Sequence, residues 1–324
     1  MSVAVAPELR EEIVSCAIRP EHTARLARIY YRSVARVLWR SLAVHPGPPG
    51  GEMGWRDVLW LHPRAVYACA LVTAGRPIPP DWRGDVVRDM HNALEPAPDL
   101  QHLPGPVRES WYENGLRLLG RGRAGPADSM RLRPTTRPIN AASAAMAEAC
   151  RVMARAWPEA AAELGTLLRV VVYCDGNASS SSTAESTFGA IYVRHDSIDG
   201  VVTAFDTLLH EAGHHALILR NSFEPFLTNS LDRSSHPLRP DPRPLHGVLH
   251  AAHVLARMAT GLTYWAAEAD APAAVRDLRD KRLAMLTRTL ATLNNQASWT
   301  PTGARFFAAL RAQERKLRAA STVF

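Results

Sequence analysis

The chain is short of lysine, of cysteine pairs and of long apolar runs. Only Lys281 and Lys316 among its 38 basic residues are lysine, so arginine carries the net charge of +7 and the pI near 9.6. No stripe interleaves these arginines with aromatics and no zinc-finger spacing occurs, which argues against a nucleic-acid partner. A small anion or an acidic peptide suits the same balance. The four cysteines, Cys16, Cys69, Cys150 and Cys174, are scattered and form no CxxC. That argues against a disulfide framework or a thiolate metal site and predicts reduced thiols in a cytoplasmic protein. No charge-free apolar run reaches about 18 residues, so no membrane span is expected. The opening MSVAVAPELREEIV lacks a basic stretch followed by an apolar core, and does not read as a secretory leader.

What is present is enough apolar material, 47% of 324 residues, to fill one large core or two smaller ones. Residues 7–44 carry Leu26, Ile29, Tyr30, Val34, Val37 and Leu38 at helical spacing. Further helices are expected within 55–75, 82–94 and 109–119, with a breaker at 45–51. The Gly-, Arg- and Pro-rich stretch 120–137 suggests a boundary, dividing a helical region 1–135 from a second domain 136–324. In that second part come alanine-rich helices at 141–156 and 158–164, a β-branched run 168–174, a serine-rich loop and a second strand at 188–193. The expected fold is mainly α with a small β-sheet, an α+β chain whose later part has a zincin-like order of strands and helix. By analogy with that order, the last strand would edge a cleft and pair with an extended peptide.

The chemistry gathers at 198–220, IDGVVTAFDTLLHEAGHHALILR. Val202, Phe205, Leu209, Ala212 and Ala216 recur at helical spacing, and Ser197 or Asp199 stands where a cap belongs. His210 and His214 are four apart, so one helix face presents both imidazoles to a single metal ion. Glu211 flanks them and can act on a metal-bound water or orient a ligand. His215 lies about 100° round from His214 and reads as packing.

A third ligand must come from elsewhere. The pattern HExxHxxGxxH fails, because Leu217 and Arg220 stand at its last two positions. Glu224 is too close and Glu268 too far along. His246, His250 and His253 sit at the start of an apolar helix near 245–268, and His250 is the favoured ligand. His246 and His253 fit supporting positions.

The segment HEAGHH, followed by LRPDPRPLHGVLHAAHVLARMA, resembles the HExxH-type peptide-modification proteins, which accompany peptide natural-product clusters. The matching positions are Arg239, Asp241, Pro242, Arg243, Pro244, Leu245, Gly247, Leu249 and His250. The likeness covers about residues 186–268, with departures at Ala251 and His253. It implies an Fe(II)- and α-ketoglutarate-dependent β-hydroxylation of an amino-acid side chain, with dioxygen as co-substrate and a precursor peptide as a partner. Three imidazoles leave three positions open on octahedral iron, and the resemblance implies that α-ketoglutarate takes two of them. The usual protein set for such iron is two histidines and a carboxylate. A bidentate arginine would hold the co-substrate's distal carboxylate. Arg243 is favoured for it, with Arg239 and Arg257 as alternatives. The competing reading is a zinc metallopeptidase with Glu211 as general base and the 188–193 strand holding the substrate backbone. A third is a helical module that binds a partner peptide without catalysis.

Overall fold

The computed structural model describes residues 9–42, 58–93, 99–103, 111, 133–176, 180–236 and 239–321. All of the expected helix at 109–119 but Trp111, the breaker at 45–51 and most of the 120–137 boundary lie outside them. The chain is mainly helical with one small mixed sheet and a separate hairpin. It divides into two compact units, one comprising 1–23, 145–164 and 200–324, the other 24–144 and 165–199.

The second unit is built on β3 (Val170–Asp175). Its neighbours are β1 (Gln101–Leu103) and β2 (Arg133–Pro134) along one edge and β5 (Ala190–Arg194) along the other. Pairing with β1 and β5 is parallel, so β3 is buried on both faces and reads as an unbroken apolar run, VVVYC, rather than an alternation. β4 (Ser181–Thr183) runs antiparallel along the far side of β5. β5 therefore has a partner on each side. This corrects the expectation of an open peptide-binding edge at 188–193. The greater part of α2 (Pro20–Ser41) belongs to this unit and buries Leu26, Tyr31, Val34 and Leu38. Tyr30 lies against Phe188, ring centroids 4.9 Å apart. α3 (Pro63–Thr73) and α4 (Arg83–Asn92) are joined by Arg64, whose guanidinium donates to Asp89 at 2.9 Å and to Asp85 at 3.1 Å.

The first unit is a helical stack. It holds α1 (Arg10–Val14), most of α5 (Asn140–Ala156) and most of α6 (Pro158–Leu167). Then come α7 (Val201–Phe223), a hairpin of β6 (Arg233–His236) and β7 (Arg239–Pro244), α8 (Leu245–Ala266), α9 (Ala273–Gln296) and α10 (Pro301–Ser321). Residues 10–23, which the sequence placed in a separate helical region, are packed here beside the histidine helix. Neither Ser197 nor Asp199 caps α7. Gly200 stands at its N-cap without a side-chain hydrogen bond, and the Ser197 hydroxyl donates to the Ser180 and Arg194 carbonyls instead. The proline-rich stretch expected as loop is partly strand. A two-stranded ribbon leaves one edge of β7 unpaired, and an unpaired edge accommodates residues without an N–H such as Pro240, Pro242 and Pro244.

Glycine sets how closely these helices approach. A Cβ on Gly213 of α7 would lie 3.0 Å from Val254 Cγ1 and 3.1 Å from Arg257 Cδ of α8. A Cβ on Gly261 of α8 would lie 2.4 Å from Leu209 Cδ1 of α7. Each helix thus offers a notch to a large side chain of the other. Gly303, in the first turn of α10, meets backbone instead: its Cβ would lie 1.9 Å from the Phe226 carbonyl oxygen. A backbone atom cannot rotate away, so Gly303→Ala should destabilise the chain by about 3 kcal/mol, read as a lower urea midpoint. Wild-type stability in that variant would refute the close approach.

Candidate metal centre

α7 is buried nearly all round, and its half-buried positions after Thr203 are His210, His214, Ile218 and Ser222. They follow one another at four-residue spacing and form a single stripe. α8 is buried from Ala252 to Ala259, and opens toward its start at His246, Gly247, His250 and Ala251. The crossing at Gly213 brings these two openings together.

His210 Nε2 lies 3.1 Å from His214 Nε2, and His214 Nδ1 lies 3.0 Å from His250 Nδ1. Two bare lone pairs repel at that separation, so each contact holds a proton or a cation. A neutral set satisfies both, since each ring can donate one N–H and accept one. His214 turns a different nitrogen to each neighbour, so the rings form a string. Among the described residues no group of three or more His, Cys, Asp or Glu side chains has its donor atoms gathered round one point. The structure brings His210, His214 and His250 together but does not close them into a ring of ligands.

Electrostatics keep two members of the string, His214 and His250, uncharged. Burial pushes His214 down to about 3, with His210 adding to the effect and Glu211 opposing it. His250 is driven well below its ordinary range by burial, then by His214, His246 and His210. Neutral imidazole is the form that binds a metal. Glu211 is fully buried, with Oε1 3.9 Å from His210 Nε2. His215 is fully buried as well. His246 is exposed, its Nδ1 3.1 Å from the Ser230 carbonyl. His253 is buried and donates from Nδ1 to the Gly213 carbonyl at 3.0 Å, which ties α8 to the middle of the HExxH turn. Glu224 is the C-cap of α7, and Glu268 lies beyond α8 with Arg155 at 3.3 Å.

The three candidate arginines part company. Arg243 is half-buried on β7, its backbone paired with Ser234 and its Cα two residues before α8. The Arg239 backbone pairs with His236. Arg257 is buried: its stem crosses Gly213 and its Nη2 pairs with Glu163 of α6. Glu163 also accepts from Thr23 Oγ1 at 2.5 Å and lies 3.9 Å from Arg220 Nη2. The sequence reading missed this cluster. Glu163 lies among alanines and leucines with nothing local to mark it, and Arg220 stood out only as a mismatch to a protease pattern.

Stability should follow the histidines. An ordinary imidazole takes up a proton near 6.5, so below that pH the unfolded chain binds protons that His214, His250 and His253 in the folded chain refuse. Their contribution is complete above about pH 6.5 and is lost progressively as pH falls toward 3. Metal-free protein should therefore melt at a steadily lower temperature from pH 7 to pH 5, and a flat profile would mean the rings are hydrated. No protein-family model matches the chain, and no curated protein matches it.

Proposed function

We propose that the chain is an Fe(II)- and α-ketoglutarate-dependent hydroxylase of an amino-acid side chain, free or within a peptide, with dioxygen as co-substrate. The observation that supports this most is the string of three imidazoles, at least two of them held neutral, at a half-buried opening between α7 and α8. Two of the three come from one helix and the third from the next, as the spacing and the resemblance lead one to expect. The donor chemistry fits a borderline divalent cation such as Fe(II) or Zn(II).

His210, His214 and His250 would hold the metal. Bound Fe(II) and α-ketoglutarate would supply the oxidising power to place one dioxygen atom on a C–H carbon and the other in succinate, with release of carbon dioxide. Glu211 is a positioning residue: its buried carboxylate beside His210 favours one orientation of that ring. Arg243 suits the distal carboxylate of the co-substrate, because its strand leads directly into the helix that carries His250. The Arg257 guanidinium is engaged by Glu163, which leaves Arg243 and Arg239 as the better anchors.

The zinc-peptidase reading shares the two α7 histidines and assigns Glu211 the base. It loses its proposed backbone-binding strand, since β5 is paired on both sides. The readings diverge in the test tube. Purified full-length chain should convert α-ketoglutarate to succinate only with Fe(II) and oxygen. Peptide cleavage by the zinc-loaded chain, without α-ketoglutarate, would overturn the hydroxylase. His250→Ala should weaken Fe(II) binding by at least tenfold in a competition titration, and unchanged affinity would remove His250 from the ligand set. Glu211→Gln should keep measurable turnover as a hydroxylase and lose nearly all of it as a peptidase.

A further inference from the structure

The buried cluster behind the histidines carries a charge imbalance. Arg220 and Arg257 are each about 2% exposed, and both face Glu163, which has no exposed surface. Burial alone would raise the Glu163 carboxyl, but the Arg257 and Arg220 charges, with hydrogen bonds from Arg257 and Thr23, hold it below its ordinary value. It is therefore an anion. The other titratable groups that act on Arg220 and Glu163 contribute nothing negative. Burial pushes the Cys16 thiol up to about 12, so it stays protonated. His253 is driven well below its ordinary range, first by burial and then by Arg257 and Arg220, so it stays neutral. Two guanidiniums and one carboxylate leave one positive charge uncompensated within this cluster.

The hydrogen bonds show the same deficit. Arg257 Nε and Nη1 and Arg220 Nε are buried without hydrogen-bond partners among the described residues. Buried N–H donors left unmade cost about 1–3 kcal/mol each, more when charged, and an unpaired buried charge costs more still. Three open donors around one surplus positive charge call for an acceptor that carries a negative charge. Cys16 shows where it would enter. Its thiol lies close enough to Arg220 and Arg257 to feel both charges, and it also lines an open groove of about 890 Å³. The walls of that groove bear Arg19, Arg305 and Lys316 against Glu11 and Glu159, a basic excess that favours an approaching anion.

We propose that Arg220 and Arg257 form a binding site for one small singly charged anion, a halide or the carboxylate of a small acid, reached from the groove past Cys16. The site is independent of the hydroxylase reading. It needs no metal and uses none of the three imidazoles. Its role is structural: by neutralising the surplus charge it holds α6, α7 and α8 in register.

The test uses the full-length chain, dialysed into isethionate to hold ionic strength constant. Adding sodium chloride from 1 to 100 mM should raise the melting temperature by about 3 °C and then saturate. Sodium acetate in a parallel series distinguishes a carboxylate preference from a halide one. Crystals soaked in bromide should show an anomalous peak within hydrogen-bond distance of both guanidiniums. Arg220→Met should abolish the chloride response, and Glu163→Gln should bind chloride about tenfold more tightly because it leaves two charges to neutralise. If neither substitution folds, the bromide peak in the unaltered protein decides. A melting temperature indifferent to both anions, a response that survives in Arg220→Met, or bromide located only elsewhere would overturn the proposal.

Discussion

The crossing of α7 and α8 is what the site depends on. Gly213 receives Val254 and Arg257, and Gly261 receives Leu209, so each helix seats a side chain of the other where a Cβ would stand, and the two approach closely. Closeness of that order lets the His214 and His250 nitrogens come within 3.0 Å. It also lets the His253 ring, from the far helix, reach the Gly213 carbonyl inside the HExxH turn. A Cβ at 213 would require Val254 and Arg257 of α8 to give way by a few tenths of an ångström. The second of the two unspecified positions of HExxH is thus constrained here by packing.

The same crossing separates two electrostatic environments. On one side the imidazoles form a string, with His214 and His250 held neutral, that meets solvent at His210, whose side chain is 36% exposed. On the other, Arg257 and Arg220 converge on Glu163, all three buried. His253 stands between them, and the cationic cluster is part of what keeps it uncharged. A ligand set for a divalent cation gains from this arrangement, because rings that resist protonation do not compete with the metal for their lone pairs.

The hairpin between the two helices shows how composition misleads. Three prolines within six residues read as irregular loop, yet Arg239–Pro244 pairs with Arg233–His236. Proline forbids a strand only where both edges need N–H donors. Likewise the run at 188–193 is a strand, as its β-branched and aromatic residues require. Only the sheet topology reveals that β4 already occupies its second edge.

Local pattern determined a good deal by itself. Helical periodicity located α4, α7 and α8 to within several residues and placed α2 and α3 inside longer stretches, β-branched runs located β3 and β5, and four-residue spacing put His210 beside His214. Clustering of histidines at the start of α8 pointed to His250. Those features depend on neighbours a few positions apart, so the chain states them directly. Tertiary structure alone decided the rest. Glu163, Thr23, Arg220 and Arg257 come from four distant stretches, and Cys16 from a region the sequence assigned elsewhere. Nothing in the spacing of residues 140 apart records that Thr23 and Glu163 share a hydrogen bond. Long-range charge pairing is set by which surfaces burial brings together, and that choice belongs to the whole core.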